Sequence, residues 1–173
     1  IGGSFDKQQF PSIIEQAQKA LDSVGGIVEC RVNGVKAVIG EPFFDSIEST
    51  MAHLLFSVPA VKGVEFGAGF AAAQMRGSEN NDAYTVKDGK IVTCTNHAGG
   101  ILGGITTGMP LIFRAAVKPT PSIAKEQRSV SLSRSENCAL TVHGRHDPCI
   151  VPRAVPVMEA AAAVAVVDMM LDE

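Results

Sequence analysis

The feature that constrains this chain most is the stretch Gly144–Ala163, GRHDPCIVPRAVPVMEAAAA. Arg145, His146 and Asp147 occupy consecutive positions before Pro148, which biases the preceding residue towards extended backbone. Alternation along such a backbone sends Arg145 and Asp147 to one side and His146 to the other. A guanidinium and a carboxylate that face the same way suit an anion and a proton acceptor, whereas the alternative is an Arg–Asp pair that closes a surface turn. The apolar, alanine-rich helix that follows favours a site, because the loop meets a buried element there.

Length and composition set the class of the chain. With 173 residues, of which 46% are hydrophobic and 19% are charged, the chain can bury a core and is too apolar to be disordered. We therefore expect one domain over residues 1–173. The formal net charge is −3 and the isoelectric point is near 5.8. The chain has no basic run either, which argues against a nucleic-acid partner.

Two apolar runs, Ala98–Phe113 and Val155–Leu171, bear on a membrane location. The first contains five glycines and a proline, and the second contains Glu159 and Asp168. Neither run reaches the roughly 20 residues that a bilayer requires, so the sequence predicts a soluble protein with no membrane partner. The four cysteines show no C-x-x-C spacing, so we expect neither a disulfide framework nor a metal site.

Hydrophobic periodicity predicts the first elements of the chain. Apolar residues at helical spacing indicate a helix over Phe10–Ser23, and alternation over Ile27–Val32 indicates a half-buried strand. Asn33-Gly34 is typical of a two-residue hairpin turn. We therefore expect Val35–Ile39 to pair back on the preceding strand.

The rest of the chain mixes helices with strands. Asp45, with Glu48 three residues later, has the pattern of a capping box and predicts the N-cap of a second helix. Further strands are expected over four ranges: Val61–Phe66, Ile91–Thr95, Leu111–Val117 and Cys138–Val142. The last helix, Pro156–Leu171, is apolar on all sides, so we expect it to be enclosed between layers or subunits. This mixture is typical of the α+β class.

Two other segments have the composition of ligand-binding loops. The cluster Gly99-Gly100-x-x-Gly103-Gly104 could let backbone amides approach a phosphate or a flat ring, although such clusters also serve tight packing. Lys118-Pro119-Thr120-Pro121-Ser122 follows a predicted strand, and its ammonium and hydroxyl groups can hold phosphate oxygens together. The alternative is an exposed loop with incidental hydroxyls. For His97, beside the glycine cluster, a structural hydrogen bond is favoured over a proton-donor role.

Several of these segments together resemble the chorismate synthase family. Arg145-His146-Asp147-Pro148-Cys149 and the later Ala154-Val155-Pro156-Val157-Met158-Glu159-Ala160 are similar to its C-terminal signature. Five further segments follow the family's order and approximate spacing: Asp22-Ser23-Val24-Gly25-Gly26, Gly40-Glu41-Pro42, Pro59-Ala60-Val61-Lys62-Gly63-Val64-Glu65-Phe66-Gly67, Asn96 to Gly104, and Lys118 to Ser122. The resemblance covers nearly the whole chain, but only the C-terminal half of the family.

The resemblance implies a fold and an activity. The fold would be a layered α/β sandwich of the chorismate synthase type, with a mostly antiparallel sheet and packed helices. The activity would be that of a carbon–oxygen lyase, which converts 5-enolpyruvylshikimate 3-phosphate to chorismate and phosphate with reduced FMN. The family further implies a cytoplasmic homotetramer, and it leaves open whether the enzyme reduces its own flavin with NADP chemistry.

The resemblance also implies roles for individual residues. Asp147 and Arg145 would be catalytic, and Arg145 would also contact the flavin. The remaining flavin contacts would be Pro59, Ala60, Gly103, Lys118, Pro119, Thr120, Pro121 and Ser122. The family's Ser-His-Gly segment, arginine cluster and catalytic histidines have no counterpart in the 173 residues. We therefore expect a fragment that is inactive alone, and the alternative is an FMN-binding or assembly module without catalysis.

Overall fold

The computed structural model describes residues 1–171 and divides the chain into two compact units. Unit 1 consists of Ile1–Ile27 and Val117–Ala154, and unit 2 consists of Val28–Ala116 and the chain from Val155 onward. The helices are α1 (Phe10–Lys19), α2 (Ile47–Ser57), α3 (Gly77–Asn80) and α4 (Val151–Leu171). The strands are β1 (Gly26–Val32), β2 (Val61–Phe66), β3 (Tyr84–Lys87), β4 (Lys90–Thr93), β5 (Ile101–Leu102), β6 (Ile105–Thr106), β7 (Leu111–Val117), β8 (Gln127–Ser131) and β9 (Glu136–Leu140).

The strands form one three-stranded sheet and three antiparallel pairs. The sheet has the order β1-β7-β2, and most of its residues belong to unit 2. The pairs β3–β4 and β5–β6 lie in unit 2, and β8–β9 lies in unit 1. Helices mixed with antiparallel pairs confirm the α+β class.

A compact core holds unit 2 together. Leu111, Phe113 and Ala115 alternate inward along β7 and are fully buried. Side chains from three other segments join them, namely Ile39, Ile47, Met51, Leu55 and Met158. The alternation of β7 is therefore that of a strand with one face on the core.

Several predicted elements are confirmed at their predicted positions. β2 and β7 have the predicted bounds, and β1 begins one residue earlier than predicted. The first helix ends at Lys19, four residues early, because Leu21 adopts a left-handed backbone with φ of 55°. A conformation of that kind cannot continue a right-handed helix.

The hairpin predicted at Asn33-Gly34 is wrong. Instead of pairing with β1, the segment after the turn bonds to Thr106: Val38 N–H donates to its carbonyl at 2.8 Å, and its own N–H donates to Ile39 O at 2.9 Å. The Thr106 hydroxyl also accepts from Ile39 N–H at 2.9 Å. A partner 67 residues away in sequence therefore prevails over the local turn signal.

The predicted cap of α2 is displaced by one residue. Asp45 lies in a short 3₁₀ turn, Phe43–Asp45, and the N-cap is Ser46, whose hydroxyl accepts the Ser49 N–H at 3.1 Å. Both residues are good N-caps, so sequence preference alone does not separate them. In the structure the cap is Ser46, the buried residue of the two, and Asp45 is exposed.

The last helix is longer than predicted. α4 begins at Val151, so Pro152 stands in its first turn, where proline is tolerated, and Pro156 lies inside it. The helix has 21 residues, and a stretch of 18 of them has a mean hydropathy of 1.8, so it could cross a membrane by length and composition. The expectation that this apolar run is too short for a bilayer is therefore wrong. The core helix of a soluble protein passes the same test.

In this chain only one face of α4 is buried. Met158, Ala162, Ala165, Val166 and Met169 are buried, at helical spacing. The exposed apolar side chains of the same helix include Val157, Val164, Val167, Met170 and Leu171. Residues 1–171 therefore do not themselves provide the enclosure on all sides that the composition predicted.

Candidate functional site

The loop Lys118–Ser122 follows β7 and lies in unit 1, and its cationic residue, Lys118, is exposed. Lys118, Pro119 and Pro121 are exposed, whereas Thr120 and Ser122 are half-buried. The Thr120 hydroxyl oxygen is buried, and it has no hydrogen-bond partner among residues 1–171. A buried hydroxyl without a partner is costly, so this group is suited to form a hydrogen bond with a ligand.

Residues Arg145–Asp147, which we call the Arg-His-Asp turn, lie in the same unit, and the turn is held by its own side chains. Asp147 Oδ1 accepts the N–H of Cys149 at 3.2 Å, and Asp147 Oδ2 pairs with Arg153 Nε at 3.2 Å. His146 Nε2 lies 2.8 Å from the carbonyl oxygen of Val142. The Arg–Asp pair that the sequence left as an alternative thus exists, but its arginine is Arg153.

Arg145 is the exposed member of this turn. In the part of the chain that the structure describes, its guanidinium takes part in no salt bridge. Cys149, two residues beyond Asp147, is buried, and burial raises the pKa of its thiol. The turn is therefore followed by a buried, neutral thiol and carries an exposed cation.

The segment Asp22–Gly25, which we call the linking segment, contacts both loops. The Ser23 hydroxyl donates to the carbonyl of Thr120 at 2.7 Å, and the Val24 N–H donates to the carbonyl of Pro148 at 2.9 Å. A Cβ at Gly25 would overlap the carbonyl oxygen of Val117, so only glycine allows this close approach. The structure therefore brings Lys118–Ser122 and the Arg-His-Asp turn together through a third segment.

The other predicted flavin contacts belong to unit 2, where they lie at different ends of one helix. Pro59 and Ala60 follow α2, and Ala60 has a φ of 74°, which is uncommon without glycine. Gly103 lies in the β5–β6 turn, whose Gly104 carbonyl accepts the first N–H of α2, from Ile47, at 3.2 Å. Eleven helical residues, about 16 Å, separate the two ends. Within unit 2 the structure does not bring Gly103 next to Pro59 and Ala60.

Asp82 is a buried carboxylate that the sequence analysis did not single out. Its oxygens accept the Thr95 hydroxyl at 2.6 Å, the His97 N–H at 2.8 Å and the Ala98 N–H at 2.9 Å. The largest influence, burial, raises the pKa of Asp82, but these hydrogen bonds together outweigh it and the net pKa is lowered. Asp82 therefore fixes the backbone that leads into the glycine cluster.

His97 is held by the same group of residues. Its Nδ1 lies 3.2 Å from the carbonyl oxygen of Asn80 and 3.8 Å from Asp82 Oδ1. These contacts agree with the structural role that was favoured for this histidine. Asp82 itself stands in the polar run Ser78–Asp82, and nothing in the sequence of that run distinguishes it from its less buried neighbours.

Comparison with known proteins identifies the family. A family profile described as chorismate synthase matches residues 4–171. The chain belongs to the chorismate synthase family. It is 58% identical over 160 residues to the chorismate synthase of Chitinophaga pinensis, an alignment that covers 92% of this chain and 48% of that protein. It is 56% identical over 150 residues to the enzyme of Archaeoglobus fulgidus, covering 87% of this chain and 42% of that protein.

A solved structure supports the fold of the family. A crystal structure of chorismate synthase matches with a TM-score of 0.76 and 29% identity, covering 95% of this chain and 42% of that chain. The expected fold type is thereby confirmed. The chain spans about half the length of the curated chorismate synthases that it matches. The flavin and catalytic roles given to individual residues stay predictions.

Proposed function

We propose that this chain provides the flavin-facing portion of a chorismate synthase. The reaction removes phosphate and the C6 proton from 5-enolpyruvylshikimate 3-phosphate and gives chorismate, so the enzyme is a carbon–oxygen lyase of aromatic amino acid biosynthesis. One observation carries the proposal: the linking segment holds Lys118–Ser122 and the Arg-His-Asp turn in one unit. The family membership of the chain then gives this arrangement its chemistry.

The residues of unit 1 fit a phosphate-bearing cofactor such as FMN. The unpartnered Thr120 hydroxyl and the nearby Ser122 hydroxyl can bond to phosphate oxygens, and Lys118 adds a positive charge. Pro119 and Pro121 restrict the loop backbone, so little entropy is lost when a ligand binds. Reduced FMN, when bound, supplies an electron-rich ring to an elimination that has no net redox change.

Arg145 and Asp147 take different roles in this proposal. The exposed guanidinium of Arg145 binds flavin or substrate anions, to which arginine presents several donors. The Asp147 carboxylate orients the ligand or accepts a proton as a general base. Its partner Arg153 is 82% exposed, and an exposed ion pair of this kind is worth only about 0–1 kcal/mol. Asp147 Oδ2 can therefore release that partner at small cost.

A second function, flavin binding without catalysis, is favoured by the same carboxylate. Both oxygens of Asp147 are already engaged, by Cys149 N–H and by Arg153. A carboxylate that only closes the turn would leave a module that binds FMN and serves assembly. Turnover of 5-enolpyruvylshikimate 3-phosphate by the full-length enzyme, with and without this carboxylate, separates the two functions.

The remaining properties are proposed from the family. We propose a cytoplasmic homotetramer for the full-length protein, with a small-molecule substrate and no nucleic-acid or membrane partner. The apolar side chains that α4 exposes in this chain, Val157 and Val164 among them, are suited to burial in such an assembly.

Titration with FMN tests the proposal directly. We expect binding to the 173-residue chain, followed by flavin fluorescence, and a dissociation constant raised roughly 10- to 100-fold by Lys118→Ala or Arg145→Ala, as for loss of a charged hydrogen bond. Arg128→Ala is the matched control, because Arg128 is an exposed arginine of unit 1 outside both loops. Equal affinities for all four proteins would contradict the flavin site in unit 1.

A further inference from the structure

The linking segment contacts both proposed ligand loops. The hydrogen bond from the Ser23 hydroxyl to the Thr120 carbonyl joins residues 97 positions apart, at 2.7 Å. The next residue, Val24, donates its N–H to Pro148, beside Asp147. Two consecutive residues thus contact one loop each.

The Lys118–Ser122 loop depends on such outside contacts for its shape. Two of its five residues are prolines, which have no N–H to donate. Two of its carbonyl groups accept hydrogen bonds from side chains elsewhere in unit 1. The Ser23 hydroxyl donates to Thr120 O, and Gln127 Nε2 donates to Pro121 O at 3.2 Å. Of these two bonds, the Gln127 bond is exposed and the Ser23 bond is partly buried. The Ser23 bond is therefore better protected from water.

The linking segment is itself held on its far side. Lys125 Nζ lies 3.0 Å from Asp22 Oδ2, and the Lys125 N–H donates to the Leu21 carbonyl at 3.1 Å. Gly25 lies against Val117 and Pro119, where no side chain would fit. Ser23 thus stands on a backbone that is fixed both before and after it.

We propose that Ser23 is a positioning residue, whose hydroxyl sets the orientation of Thr120 and so aligns the Lys118–Ser122 loop with the Arg-His-Asp turn for a shared phosphate-bearing ligand. The proposal rests on the flavin site proposed above. Ser23 acts through the Thr120 carbonyl and does not itself touch the ligand. Its loss should therefore weaken binding without removing any group that contacts FMN.

Two substitutions at Ser23, with one control, test this role. Ser23→Ala removes the hydroxyl and should raise the dissociation constant for FMN roughly 3- to 10-fold, the effect of one neutral hydrogen bond. Ser23→Thr keeps the hydroxyl and should restore affinity to within about twofold of the unsubstituted chain. Ser4→Ala removes another serine hydroxyl of unit 1, bonded to Gln9 at 3.0 Å, and should leave affinity unchanged.

A measurement without ligand keeps the failure of this proposal distinct from that of the flavin site. Hydrogen exchange of the unliganded chain should become faster in the peptides that cover residues 118–125 for Ser23→Ala, and not for Ser23→Thr or Ser4→Ala. If the unsubstituted chain binds no FMN, the flavin site is wrong, and exchange alone decides on Ser23. Unchanged exchange in Ser23→Ala overturns the proposal, as does unchanged FMN affinity in a chain that binds FMN. Equal losses in Ser23→Ala and Ser23→Thr also overturn it.

Discussion

At the scale of single residues, the contacts of Asp147 allow its catalytic role to be tested separately from its structural role. Its carboxylate bonds to one backbone N–H and pairs with Arg153, and neither contact is deeply buried. Asparagine has the same shape and can still accept the Cys149 N–H, but it lacks the charge and the basicity. A comparison of aspartate with asparagine therefore isolates the proton-accepting role.

We predict that Asp147→Asn, made at the matching position of the full-length Chitinophaga pinensis enzyme, lowers kcat by roughly 100-fold or more, the usual effect of losing a positioned acid–base group. The melting temperature should change little, because the exposed pair with Arg153 contributes little to stability. Steady-state kinetics and thermal melts of both proteins check this. Near-normal turnover would refute the catalytic role, and parallel losses of activity and stability would make the pair a structural clamp.

Asp82 predicts a pH dependence of stability. Its pKa is lower in the folded chain than the ordinary value of 3.8, on balance of burial and hydrogen bonds. A group with a depressed folded pKa contributes stability above its unfolded pKa, and that contribution disappears as the pH falls through the folded value. The loss should therefore occur below about pH 4.

We predict that Asp82→Asn is less stable than the unsubstituted chain at pH 7, and that the difference between them shrinks as the pH falls below about 4. Urea denaturation at a series of pH values measures this difference. Asp88→Asn is the control, because Asp88 is exposed in the β3–β4 turn. A stability difference that stays constant down to pH 2 would show that the Asp82 charge contributes nothing.

The residues that sequence reasoning missed share one property. Asp82 receives hydrogen bonds from residues 13 to 16 positions later, and Ser23 reaches 97 positions along the chain. Neither residue has a local pattern that announces its partner. By contrast, Lys118 and Arg145 lie in short segments whose composition already indicates anion binding. Composition thus indicates candidate ligand groups, whereas the residues that position them are found only from the long-range contacts of the fold.

At the scale of helices and strands, burial patterns were more informative than turn signals. β2 and β7 have the predicted bounds because the alternation or apolar content of each segment reflects its contact with the core. The Asn33-Gly34 signal failed because Thr106 offers three hydrogen bonds to the following residues, Val38 and Ile39. The extent of α4 was missed because Pro152 and Pro156 look like breaks in sequence, although Pro152 lies in the tolerated first turn.

Substitution by alanine should change the free energy of unfolding much more on the buried face of α4 than on its exposed face. Met158 is fully buried, so Met158→Ala should cost about 2–5 kcal/mol of unfolding free energy. Val164 is 57% exposed, and alanine is the better helix former, so Val164→Ala should change stability by less than about 0.5 kcal/mol. Chemical denaturation of both variants measures the difference. A cost above 2 kcal/mol for Val164→Ala would show that its face is already covered in solution.

At the scale of the whole molecule, the predicted site residues fall in two units. Lys118–Ser122, Arg145 and Asp147 belong to unit 1, and Pro59, Ala60 and Gly103 belong to unit 2. By resemblance the sequence predicts all of them as parts of one flavin and substrate site. Nothing in the composition of these segments indicates that they belong to two different units. The boundaries between the two units fall within β1, β7 and α4, so each of these elements has residues in both units.

Charge at the proposed site argues that the 173-residue chain binds ligand without turnover. The proposed substrate, 5-enolpyruvylshikimate 3-phosphate, carries two carboxylates and a phosphate, so its productive binding would require several cations at once. In the two loops of unit 1, Lys118 and Arg145 are the clear candidates, since Arg153 is already paired with Asp147. Two cations are too few to neutralise three anionic groups and also hold the phosphate of FMN.

We therefore predict that the purified chain, supplied anaerobically with reduced FMN and 5-enolpyruvylshikimate 3-phosphate, forms no chorismate while it still binds FMN. Product absorbance or chromatography measures turnover, and the full-length Chitinophaga pinensis enzyme under the same conditions is the positive control. FMN affinity measured on the same preparation distinguishes an inactive site from an unfolded chain. Chorismate formation above the rate without protein would contradict the prediction, because Lys118 and Arg145 would then suffice to hold the substrate for elimination.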